Sequence, residues 1–100
     1  MASYSLTQAA ALFSAGGDLV VRVQIALVAR AAARFEDAVG AEAAYVRRVA
    51  ANPAGEANAA VVAVLSAVSV ADTGTESTPL VPTDAELTAG VVSAWPFLIG

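Results

Sequence analysis

Few residues in this chain could do chemistry, and they fall in three short clusters. Asp72-Thr73-Gly74 would suit hydrolysis by paired aspartates, in which two carboxylates share one proton. No second such triplet is present and the flanking hydrophobic strands are missing, so the segment reads as a turn. Glu36-Asp37 together with Glu42 could form a carboxylate cation site. Acids at helix ends are commonly just solvated, which is the plainer reading. Tyr45 with Arg47-Arg48 could grip a phosphate, but a single arginine pair is a weak signal for it.

The residues that are missing exclude more. The chain has no cysteine, which removes disulfides, thiolate metal sites and thiol nucleophiles. Without histidine it lacks the commonest general base and metal ligand. Without lysine there is no Schiff-base chemistry and no phosphate-loop lysine. The expectation is a protein that is not an enzyme, with no catalytic, cofactor-binding or metal-binding residues and no cofactor. A net charge of −4 argues against direct nucleic-acid binding, which needs clustered cations. The uncharged first seventeen residues lack the basic start of a secretory signal. Residues 57–71 are apolar but short of the ~20 needed to span a bilayer, so no membrane role is expected.

What must position these residues is a set of helices. One hundred residues, 58% of them hydrophobic and 14% charged, suit a single domain over residues 1–100. Alanine dominates; it favours helix strongly but buries little area, so the core is thin and gains from close helix approach. The expected fold is all-α, a small bundle of four to five helices with one polar loop, 72–82, before the last helix.

Local punctuation marks the elements. Ser5 and Gln8 form a capping box for a short helix ended by Gly16-Gly17. Asp18 is then placed at the N-cap of the longest helix, which is expected to reach Val39 and stop at Gly40. Val20, Val21, Leu27, Val28, Ala31, Phe35, Ala38 and Val39 gather on one arc of it. Gln24 interrupts that arc, either as a buried amide satisfied within the fold or as a polar contact setting register across a subunit interface. A third helix covers about 41–51. Asn52 caps a fourth that has Pro53 at its first position and runs to about Val70. Ala59, Ala63, Ala67 and Ala71 recur every fourth residue along it, predicting a smooth stripe for tight helix packing.

Thr83 and Glu86 make a second capping box and open the last helix. Pro96 is expected to break it, leaving an apolar tail over 96–100. Trp95, Phe97, Leu98 and Ile99 are the expected interface anchor, with Gln24, Arg47 and Arg48 as further interface candidates. The tail could dock on its own core or on a neighbouring subunit; the assembly role is the expectation. Charge is divided as well. Residues 1–48 hold all five arginines and four acids, net +1, while 49–100 hold five acids and no base, net −5. Such halves can pair inside one fold or join subunits head to tail.

The chain resembles short helical virion structural proteins, head- or neck-associated, of tailed bacteriophages. The resemblance rests on Arg22-Val23-Gln24-Ile25-Ala26, on Arg47-Arg48-Val49-Ala50-Ala51-Asn52-Pro53, and on Thr83-Asp84-Ala85-Glu86-Leu87 with Val91-Val92 and Trp95. The apolar stretch from Pro96 to Ile99 departs from the family. The resemblance implies a non-enzymatic component of the particle at the head or the head-to-tail neck, a connector or capsid-associated protein present in multiple copies. Portal, capsid or neck subunits would be its partners, a homo-oligomer its state in the particle, and the virion its location, after assembly in the host cytoplasm. A capsid decoration protein is the alternative within that class. A bacterial helical adaptor or regulatory binding module is the alternative outside it.

Overall fold

In the computed structural model, which describes residues 1–100, five helices hold 71% of the chain. They are α1 (Leu6–Ala15), α2 (Gly17–Arg34), α3 (Gly40–Ala51), α4 (Pro53–Ala67) and α5 (Asp84–Ile99). Strands β1 (Ala2–Ser3) and β2 (Ser69–Val70) pair antiparallel, Ala2 opposite Val70 and Ser3 opposite Ser69. The fold is an all-α bundle. No single helix is long and apolar enough to cross a membrane.

Side-chain caps start three of the helices. The Ser5 hydroxyl accepts from Gln8 N while the Gln8 side chain accepts from Ser5 N, and Thr83 and Glu86 repeat the exchange at α5. Asn52 accepts from Gly55 N at 3.4 Å, with Pro53 at the first position of α4. Helix α2 starts differently. Its N-cap is Gly16, which has no side chain to offer, and Asp18 lies inside the first turn. There the carboxylate still faces the positive end of the helix dipole. At this break α1 and α2 turn through 108°.

Two expected boundaries are corrected. α2 ends at Arg34, not near Val39, and the chain turns through Phe35–Asp37 with the amides of Asp37 and Ala38 both donating to Arg34 O. Glu36 and Asp37 would sit at the negative end of a longer helix, which opposes its continuation. Gly40 takes φ +60° as expected of a stop signal, but it opens α3 after the extended Val39. α4 likewise stops at Ala67, because Ser69 and Val70 are taken into the β1–β2 pair.

The core is a single cluster of 21 buried residues. α2 contributes Leu19, Val23, Leu27 and Ala31, one every fourth residue, so the buried line is offset from the arc expected from sequence. Val21, Phe35 and Val39 from that arc are exposed, Val39 by 80%. α3 adds Tyr45, Val46 and Val49, α4 adds Ala57, Ala60, Val61, Val64 and Leu65, and α5 adds Leu87, Val91, Ala94 and Trp95.

The alanine stripe is also corrected. Ala59 and Ala63 are exposed, Ala67 is half-buried, and Ala71 lies beyond the helix in the exposed segment that follows β2. Close approach is made instead by Gly90 of α5, which is buried against α4. A Cβ there would stand 2.5 Å from Val68 Cγ2 and 3.1 Å from Val64 O. Only a bare Cα fits.

The last helix runs on through Pro96 to Ile99, so no separate tail exists. Trp95, whose backbone the proline would otherwise push toward extended geometry, is only 4% exposed. Leu98 and Ile99 pack on the core beyond it. Burial on both sides of Pro96 holds the helix together.

Gly90→Ala tests the close approach. The substitution adds about 1 kcal/mol of helix propensity, yet overpacking should leave a net loss of about 1–2 kcal/mol in urea unfolding. Ala63→Leu, on the exposed side, should stay within about 0.5 kcal/mol of the parent. The reverse order would mean α4 and α5 pack through the stripe.

Candidate functional site

The chain's strongest polar constellation joins α2, α3 and α5. Arg34, the last residue of α2, donates to both oxygens of Glu42 in the first turn of α3, at 3.0 and 2.9 Å. Glu42 Oε2 also accepts from Trp95 Nε1 at 2.6 Å. The Trp95 ring meets Tyr45 edge-on, 5.3 Å between centroids at 78°, and the Arg30 guanidinium lies 5.8 Å from its ring centre. On the other side Arg48 stands 5.2 Å from the Tyr45 ring and pairs with both Glu56 oxygens at 3.1 and 3.2 Å. The knot thereby reaches the first turn of α4.

These contacts decide what Glu42 can do. Its hydrogen bonds from Arg34 and then from Trp95 hold the carboxyl at about 2, well below the usual carboxylate range, against the opposing effect of burial. Near neutral pH it is therefore an anion with its donors in place, not a base in search of a proton. Burial pushes the Tyr45 phenol up, so near neutral pH it keeps its proton. The knot is a fastening. Two polar atoms nearby and on α4, Arg30 Nε and Ser66 Oγ, are buried without a partner.

A second seam ties the first residues to the 72–82 loop. The Tyr4 hydroxyl donates to Leu80 O, and Gln8 Nε2 donates to Thr73 O and Thr75 O, each at 3.3 Å. Gln8 is the one buried polar side chain, where the sequence had drawn attention to Gln24. Asp72 accepts from Gly74 N at 3.0 Å, so the Asp-Thr-Gly triplet is a turn closed by its own carboxylate. No group of three or more acids is placed to hold a metal ion. Glu42 in particular turns away from Glu36 and Asp37 onto Arg34.

Of the residues singled out by sequence, Trp95 and Arg48 meet at Tyr45. Trp95 belongs to the chain's own core and so is not an anchor offered to a neighbour. Leu98 and Ile99 are half-buried on that core, whereas Phe97 is 84% exposed. Gln24 is half-buried and makes no side-chain hydrogen bond, and Arg47 is exposed and unpaired. Neither joins the knot. Comparison with protein-family models, curated proteins and solved structures gives no match in any of the three. The surface itself must carry the functional argument.

Two grooves stand out on it. One, of about 390 Å³, lies between the end of α2 and α3, floored by Val28, Ala31, Val46 and Val49 and edged by Phe35, Glu36 and Asp37. The other, of about 520 Å³, lies between α4 and α5, lined by Ala63, Ser66, Ala67, Ser93, Ala94 and Phe97. The apolar exposure expected of the C-terminus is thus concentrated in one side chain, Phe97, beside small residues of α4. The sequence grouped Glu42 with Glu36 and Asp37, and its part in the knot was missed because its partners lie 8 and 53 residues away, across breaks between helices. The signal that could have found it is the repeated spacing of eight across a helix junction, Arg34–Glu42 and Arg48–Glu56.

The depressed carboxyl of Glu42 has a pH signature. A lowered folded pKa stabilises the fold fully above the unfolded value near 4.5, and that stabilisation is lost as pH falls toward about 2. Glu42→Gln should therefore melt lower than the parent at pH 7, with the gap closing between about pH 4.5 and 2. A gap that does not change with pH would mean the carboxylate is not the partner of Arg34 and Trp95.

Proposed function

We propose that this chain is a non-enzymatic structural protein of a tailed-bacteriophage particle, held in multiple copies at the head-to-tail neck or on the capsid. The observation that carries the reading is the outward face of α4 and α5. Phe97 stands there in water beside a groove of small side chains, whereas the contacts that join Arg34, Glu42, Trp95, Tyr45, Arg48 and Glu56 are fastenings of the fold itself. An aromatic side chain of this kind contributes to a contact out of proportion to its number. The resemblance of its sequence runs to those of short virion proteins points to the particle in this reading, and this face supplies a means of joining it. Portal, capsid or neck subunits are the partners in this reading, and a capsid decoration protein is its variant.

One observation favours a second reading. The α2–α3 groove has an apolar floor and an acidic edge, Glu36 and Asp37, and would suit the basic amphipathic helix of a partner, as in an adaptor. Quantitative mass spectrometry of purified particles separates the two. The virion reading expects the chain in intact particles at a fixed multiple-copy ratio, and expects Phe97→Ser to be incorporated less while melting like the parent. A chain absent from particles, with binding that depends on Glu36 and Asp37, would replace this reading with the adaptor.

A further inference from the structure

We infer that the partner seated on the α4–α5 face is a second copy of this chain, paired about a twofold axis at Ser93. The inference rests on the virion reading only for where the pairing is used; the pairing itself stands on the following observations.

The first is charge. Residues 57–71 and 87–100 contain no Asp, Glu or Arg, and they supply nearly all of this face. Elsewhere two copies, each of net charge −4, repel one another. Here they can meet without opposing like charges and without stripping water from an ion. Charge returns only at the far end, where the Glu86 carboxylate accepts from Thr83 N at 2.8 Å and the amino end of Met1 stands beside the hollow.

The second is shape. The groove holding Phe97 continues into a smaller one of about 240 Å³, lined further by Ala85, Glu86, Ala89 and Met1, and the two share Ala67 and Ser93. The face therefore has a knob at one end of α5, a hollow with small side chains at the other, and Ser93 midway between Ala89 and Phe97. A twofold rotation about that midpoint lays the Phe97 of each copy over the other's Ala89 end. This is the self-complementarity an isologous contact requires. Opposite Ser93, each copy then presents the same residue.

The third is area. The stretch of α5 from Leu87 to Ile99 is about 20 Å long and, with the end of α4 beside it, about 18 Å wide, so each copy offers roughly 350 Å². The total of about 700 Å² is that of a weak contact. Such a pair is populated on the order of millimolar concentration, the range supplied when copies are held side by side.

Sedimentation equilibrium of the full chain from about 10 µM to about 1 mM tests the pairing. The expected result is a reversible monomer–dimer equilibrium for the parent. Phe97→Ser should weaken it roughly 100-fold, about tenfold for each of the two side chains lost, with an unchanged melt. Because the chain has no cysteine, Ser93→Cys gives a clean position report. It should oxidise to a covalent dimer, whereas Ser14→Cys on α1 should not. A parent monomeric throughout, an unaffected Phe97→Ser, or equal cross-linking at both positions would overturn the pairing. A dimer that forms as described but is absent from particles would overturn the virion reading and leave the pairing standing. A monomer found in particles would do the opposite.

Discussion

How closely α5 approaches α4 governs the rest of the bundle. Gly90 lets the α5 backbone lie against Val64 and Val68, and that depth places the two ends of the helix. At its start Asp84 meets Arg22 of α2 at 2.9 Å, and at its end Trp95 reaches Glu42 of α3. A helix held further out would lose both. An alanine- and valine-rich core has little bulk with which to compensate for a gap, so backbone proximity takes the place that large side chains hold in richer cores. The ion pairs lie at the seams between helices and are partly exposed. Their part is to select one register among several that smooth alanine surfaces would allow.

The charge asymmetry along the chain is largely absorbed inside the fold. Arg22–Asp84 and Arg48–Glu56 each join the arginine-bearing part to the acidic part, and Arg34–Glu42 closes the junction between α2 and α3. Of the two uses open to such halves, pairing within one molecule accounts for two of the five arginines, Arg22 and Arg48. What reaches the outside is a set of acids without arginine partners around the charge-free stretches 57–67 of α4 and 87–99 of α5. Those stretches are the unusual part of the surface.

The features legible in the sequence are those written locally. Both capping boxes, the Asn52-Pro53 start of α4 and the turn at Asp72 depend on residues within four positions of one another, and the all-α class follows from them and from composition. Features settled by tertiary contact were not legible. Pro96 looks like a stop because its local effects oppose helix, and only the burial of Trp95, Leu98 and Ile99 outweighs them. The alanine periodicity was real, but a stripe of small residues does not say which way it faces; here bulky Val61, Val64 and Leu65 take the inside. Glu42 and Gln8 acquire their roles from partners that sequence spacing does not connect.

The seam at Tyr4, Ser5 and Gln8 sets an order of events in the making of the protein. These residues bond to positions 65 to 76 residues further along, and β1 has no partner other than β2. Closing contacts of that span is entropically costly, so the helices form first and this clasp closes last. On a ribosome adding about 5–20 residues per second, the opening residues wait some 4–15 s before their partners emerge. Throughout that interval the Tyr4 hydroxyl and the Gln8 amide are without the backbone carbonyls that receive them in the finished fold.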